Sequence, residues 1–518
     1  MKKRLTLLAS AFLSLGLMAS VSAETLKMAY DADPVSLDPQ EQLSGGTLQL
    51  SHMTFDPLVR WAKDLSFEPR LAEKWEQVND TTMRFTLRKG VKFHSGNEMT
   101  AKDVIFSFNR LKESADFKGV FSSFKEAVAV DDYTVDLVTN KPFPLVLHNA
   151  TYIFPMDSAF YTGTDDKGKP KDEIVKAGDS FASRNISGTG PFKVTSREQG
   201  VKLEFERNAD YWDKESKGNV SKIVFTPIKE DPTRVAALLS GDVDFIAPVP
   251  PNDHARISDS DKVDLITMGG TRIITFQMNQ ERVEAFKNPK VRLAINYAIN
   301  QEGIVKKIMK GFATAGAQFS PKGYLGHNEA LTPRYDVAKA QELMKEAGFA
   351  DGFSVTMMAP NNRYVNDDKI AQAAASMLAK IKIKVDLKTM PKAQYWPEFD
   401  KRSADIMMIG WHSDTEDSNN FFEFLTACPN KETGMGQYNS GNYCNPEADK
   451  LMVEANSATD DAKRAELMQK IEKMLYDDGA FVPLHWQNLA WAANKSVDIE
   501  PVLNVMNFPY LGDLVIKK

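Results

Sequence analysis

Alternation of apolar and polar positions marks a first strand at residues 25–30, running out in the turn-forming Asp31-Ala32-Asp33-Pro34. The period of two returns in Met83-Arg84-Phe85-Thr86-Leu87-Arg88, breaks at Lys89-Gly90 and resumes in Val91-Lys92-Phe93, which predicts a hairpin. The period then lengthens. Thr100 stands as an N-cap, and Val104, Ile105 and Phe108 follow it at helical spacing. Asp336 caps a later helix whose buried stripe is Leu343, Met344 and Ala347, and Gly348 stands where a left-handed C-terminal residue is wanted. Pro289 suits a first helical turn, where proline gives up no intrahelical hydrogen bond. Residues 353–357 and the wholly apolar Ile406-Met407-Met408-Ile409 read as strands. The second ends in Gly410-Trp411-His412-Ser413-Asp414, an aromatic and a carboxylate that together can stack on a ligand and hold a cation.

Hydropathy also sets the compartment. Lys2, Lys3 and Arg4 precede an apolar run at 5–18, and Val21-Ser22-Ala23 supplies a small-x-small cleavage site, so residues 1–23 read as a secretory signal and the mature chain begins at Glu24. The run falls short of the about 20 apolar residues a membrane span needs, and no second one follows. No cysteine lies near the cleavage site to accept a lipid. Cys428 and Cys444, the only cysteines, fall in the exported part, where an oxidising compartment favours a disulfide. Their separation lacks the short paired spacing of a zinc site.

A chain of 518 residues is too long for one ordinary core. Its net charge of −6 is spread rather than gathered in a tail, with no basic stripe for nucleic acid and no polybasic amphipathic helix for a membrane surface. There is no Gly-x-Ser-x-Gly elbow, zinc helix, Walker loop or dinucleotide fingerprint, and the seven histidines are scattered, so a binding function is expected rather than catalysis, with no cofactor. Residues 161–173 are rich in charge, glycine and proline and read as a solvated surface loop.

Several pieces resemble one family in the same order: Leu71-Ala72-Glu73-Lys74-Trp75, Asp103-Val104-Ile105-Phe106-Ser107, Gly188-Thr189-Gly190-Pro191-Phe192, Asn208-Ala209-Asp210-Tyr211-Trp212, Gly241-Asp242-Val243-Asp244 and Asn288-Pro289-Lys290-Val291-Arg292. On these the chain is identified as a member of the extracellular solute-binding proteins of the peptide, opine and nickel group (family 5), with motifs most similar to the dipeptide-binding members. The resemblance implies an α/β fold, a two-lobed periplasmic binding protein of type II, cluster C. It implies a first lobe from residues 24–57, 189–270 and 490–518, an extra subdomain at 58–188 inserted in it, and a second lobe at 271–489. It implies a monomeric, periplasmic component of an ABC importer, working with inner-membrane permease subunits and taking short peptides. Nickel chelates, glutathione, opines or oligosaccharides are the alternative ligands, and a periplasmic sensor the alternative role.

The same resemblance gives Asp414 as the partner of a peptide α-ammonium, Trp411 as pocket wall, and Arg363 in Asn362-Arg363-Tyr364 as the carboxylate partner, where the planar guanidinium fork suits two parallel hydrogen bonds. Arg272, after Gly269-Gly270, is a second candidate cation because paired glycines let a ligand approach the backbone. His412 stands close enough to Asp414 and Asp417 in sequence to touch a metal chelate, and Tyr364, Tyr395 and Trp396 are candidate wall residues, the last two more readily core.

Overall fold

The computed structural model describes residues 24–517 except 64, 65, 177, 178, 414 and 416, so residues 1–23 and Asp414 lie outside the described residues. An 11-stranded sheet organises the chain. In its middle, Val263–Met278 and Val482–Asn494 run antiparallel, in register from Val263 opposite Asn494 to Phe276 opposite Val482. On one side they meet Phe245–Ala247, followed by Glu24–Tyr30, Val220–Pro227, Lys202–Arg207 and Phe192–Glu198. On the other they meet Ile406–Trp411, followed by Ser354–Pro360 and Lys384–Met390. The two long strands therefore join two half-sheets, each with its own core, and the protein is two-lobed α/β.

Pairing between the long strands is interrupted between Met268 and Arg272, at Gly269-Gly270-Thr271. A Cβ on Gly270 would stand 2.0 Å from the Gln487 carbonyl oxygen, so only glycine lets the strands cross this closely.

The first half-sheet packs Leu26, Met28, Phe205, Ile223, Phe245 and Trp491 into one core, and the second buries Phe276, Ile295, Leu343, Met357, Ile370 and Met408 in another. In Ile406–Trp411, Ile406 and Met408 enter this second core while Met407, Ile409 and Trp411 enter a third, which explains an unbroken apolar run with no period of two. The third core continues into a separate four-stranded sheet, ordered Ala72–Asn79, Thr82–Leu87, Thr134–Thr139, Phe124–Asp131. Helix Ala101–Glu113 packs on it through Val104, Phe108 and Leu111.

Most local expectations are met. Asp103 Oδ2 accepts from the Thr100 backbone N–H at 2.8 Å, Asp336 caps Val337–Glu346 through the Lys339 N–H, Gly348 is left-handed at φ 84°, and Pro289 opens Pro289–Ala298. The Cys428–Cys444 disulfide is present. In the loop at 161–173, Asp165 accepts the Lys167 and Lys169 N–H groups, and most of the segment is exposed.

The hairpin through Lys89-Gly90 is not formed. Both edges of Thr82–Leu87 are taken, by Ala72–Asn79 and by Thr134–Thr139, leaving none for Val91-Lys92-Phe93. That segment pairs with the residues after it, Phe93 N to Asn97 O and Met99 N to Val91 O, each at 2.8 Å, and buries Val91 and Phe93. Its period of two reflects one buried face, not a partner upstream.

Candidate functional site

Within each half-sheet the central strands are parallel, Glu24–Tyr30 with Val220–Pro227 and Phe245–Ala247, and Ser354–Pro360 with Lys384–Met390 and Ile406–Trp411. Ligands of open α/β sheets bind outside the carboxyl ends of such strands. Here both sets of carboxyl ends face one cavity of about 450 Å³. The first half-sheet contributes Asp31, Asp33, Lys229 and Pro248, the second Arg363, Lys392 and Trp396, and the long strands Arg272 and Gln487.

Arg272 and Arg363, separated by a long stretch of sequence, are thus brought together in one cavity. Arg272 Nη1 reaches the Gly410 carbonyl at 3.5 Å, and the Tyr364 hydroxyl donates to the same oxygen at 3.3 Å. A Cβ on Gly410 would lie 2.7 Å from Tyr364 Cε1, so glycine is what lets the ring rest on the strand end. Tyr364 is buried and Arg363 half-buried, its guanidinium 5.1 Å from the Tyr364 ring centre. Asp367 shapes this turn. Its Oδ2 accepts the Arg363 and Tyr364 N–H groups and its Oδ1 the Asp368 N–H, all at 2.9 Å, while burial lifts the carboxyl to about 6. Val365 N donates to Gln487 Oε1 at 3.0 Å and ties the turn to the cavity floor.

Trp411 and His412 are not among the residues lining this cavity. The Trp411 indole packs on Phe424 and Tyr438, with ring centres 5.1 and 4.7 Å away, and its Nε1 donates to Asn420 Oδ1 at 2.8 Å. His412 is partly buried; burial first, then Arg272 and Arg363, bring its pKa down to about 3, so the imidazole is neutral. Around Asp414, Ser413 Oγ accepts the Thr415 and Asp417 N–H groups, and Ser413, Thr415 and Asp417 are all buried. Tyr395 is fully buried with its hydroxyl on the Met408 carbonyl, whereas Trp396 lines the cavity. Among the described residues no group of three His, Cys, Asp or Glu gathers as a metal site.

Among the cavity residues that escape a reading of the sequence are Asp31 and Lys392. Each directly follows a strand or its terminal proline, Tyr30 in one case and Met390-Pro391 in the other, and position after a parallel strand is the signal that finds them. Lys392 N donates to Asn362 Oδ1 at 2.7 Å, which sets it beside Arg363. Burial lowers the Lys392 pKa; Asp31 opposes the shift and Arg363 adds to it. Asp33 is engaged by Arg197 Nη2 at 3.4 Å and by the Gly200 N–H at 3.1 Å.

Known proteins carry the same plan. The dipeptide-binding protein of Escherichia coli (strain K12) is 29% identical over 511 residues, covering 92% of each chain. Heme-binding protein A of Haemophilus influenzae is 27% identical over 482 residues, covering 87% of this chain and 85% of its own. The ABC transporter-associated periplasmic binding protein DppA of Helicobacter pylori, solved with the peptide STSA, superposes with a TM-score of 0.86 at 26% identity, over 96% of this chain and 98% of its own. Residues 66–433 match the middle region of the family 5 bacterial extracellular solute-binding proteins, and the chain belongs to that family.

Proposed function

We propose that this protein is the periplasmic substrate-binding component of an ABC importer and captures short peptides by closing its two lobes on them. The observation that carries the reading is the cavity, walled by the carboxyl ends of both half-sheets and floored by the strands joining them. A ligand touching both walls favours the closed arrangement by its differential contact with it. The relatives named for dipeptides and the structure named for a bound peptide support the ligand class. We assign the lobes and inserted subdomain the boundaries 24–57, 189–270 and 490–518, then 58–188, then 271–489.

In this reading Asp414 holds the α-ammonium and Arg363, or Arg272 beside it, the α-carboxylate. Trp411 and His412 back the loop that carries Asp414, Tyr364 backs Arg363, and neutral His412 adds no charge against the ammonium. Calorimetry tests this with Ala-Ala, N-acetyl-Ala-Ala and Asp414→Asn. Removing one partner of a desolvated charge pair costs about 2 to 5 kcal/mol, so acetylation and the substitution should each weaken binding at least roughly tenfold. Equal binding of free and acetylated peptide removes the ammonium assignment. Failure of all short peptides, with binding of a metal chelate or oligosaccharide, removes the ligand class and leaves the family intact.

A further inference from the structure

Charge is unevenly distributed in the cavity. Among the described residues that line it, Arg272, Arg363, Lys392 and Lys229 face two carboxylates, Asp31 and Asp33, and Asp33 is already engaged by Arg197. Arg363 and Lys392 stand side by side on the second wall, and neither side chain makes an ion pair among the described residues. Lys392 opens the helix Lys392–Asp400, whose N-terminal end adds positive potential on the same side. Two neighbouring cations in a half-buried site repel each other, and one α-carboxylate compensates only one of them.

We propose that Lys392, beside Arg363, forms a subsite for a second carboxylate, so that the cavity selects peptides carrying an acidic side chain next to their C-terminal carboxylate. This rests on the peptide reading above. The α-carboxylate takes the Arg363 fork and the side-chain carboxylate meets the Lys392 ammonium. Asp31, on the opposite wall, faces the same ammonium and attracts a basic side chain placed there, but Lys392 and Arg363 repel it more strongly, because two cations outweigh one carboxylate.

The test compares Ala-Glu with Ala-Gln, equal in size and differing in charge, by calorimetry on the ligand-free mature protein. Wild type should bind Ala-Glu roughly tenfold or more tightly than Ala-Gln, the scale of a partly desolvated ion pair. Lys392→Met should bring the ratio close to one, and Lys392→Arg, which keeps the charge, should restore the preference. Equal binding of both peptides by wild type overturns the subsite, as does an undiminished ratio in Lys392→Met. If neither peptide binds wild type, the peptide reading falls and takes the subsite with it, whereas wild type that binds both peptides equally removes the subsite alone.

Discussion

Arg464 and Asp417 form a buried ion pair, Nε to Oδ2 at 2.8 Å, at the base of the loop that carries the proposed ammonium partner. Asp417 also caps the helix Ser418–Leu425 by accepting the Asn419 N–H at 2.8 Å, and Arg464 Nη1 donates to the Ala455 carbonyl at 2.7 Å. The pair thus joins the end of the site loop to the two helices Pro446–Ser457 and Asp461–Asp478.

Arg464→Leu should lose about 3 to 5 kcal/mol of stability, because it strands a carboxylate where water cannot solvate it. Urea unfolding measures this. The double variant Arg464→Leu, Asp417→Asn should recover part of the loss, since no charge then remains buried. A single variant as stable as wild type would show that the pair anchors nothing.

Glu472 accepts the Ser320 N–H and hydroxyl at 2.8 and 2.5 Å, and burial raises its pKa from 4.5 to about 7. The folded state therefore holds a proton that the unfolded state releases between those values. Stability from this group is complete below about pH 4.5 and is lost as the pH rises through about 7. Glu472→Gln, which cannot ionise, should gain on wild type by up to about 3 kcal/mol between pH 4.5 and pH 8, the scale of the shift. Urea titrations across that range report it, and a difference that does not change with pH would contradict it.

Gly270→Ala places a methyl group against the Gln487 carbonyl where the two long strands cross. Backbone must move to admit it, an overpacking cost of about 1 to 3 kcal/mol. Thermal melting should register the loss, and Gly269→Ala, where a Cβ meets nothing within 4 Å, should cost less.

Lys176 bridges two carboxylates far apart in sequence, 3.1 Å from Asp116 Oδ1 and 3.3 Å from Asp400 Oδ2, which the proposed boundaries assign to the inserted unit and the second lobe. Its ammonium is partly exposed, so the link to Asp400 contributes at most about 1 kcal/mol to the closed arrangement. Lys176→Met should weaken ligand binding by no more than about fivefold. Scattering should show a smaller radius of gyration for wild type with saturating peptide than without it. An unchanged radius would count against closure.

What the sequence determined was local. Thr100 with Asp103, Asp336, Gly348 and Pro289 each satisfy a backbone requirement within a few residues, so their effect is readable without a fold. The apolar run Ile406-Met407-Met408-Ile409 announced a strand, and the fold buries it on both faces. Tertiary structure decided everything that depended on which edges and ends meet. Val91-Lys92-Phe93 kept its alternation but lost its expected partner, because Ala72–Asn79 and Thr134–Thr139 had filled both edges of Thr82–Leu87. Lys392 and Asp31 look like ordinary surface charges in sequence, and become cavity residues only because parallel pairing turns the carboxyl ends of two half-sheets toward one space. Arg464 pairs with Asp417 across the fold for the same reason: a buried charge takes the partner that packing brings to it, and packing acts across the chain rather than along it.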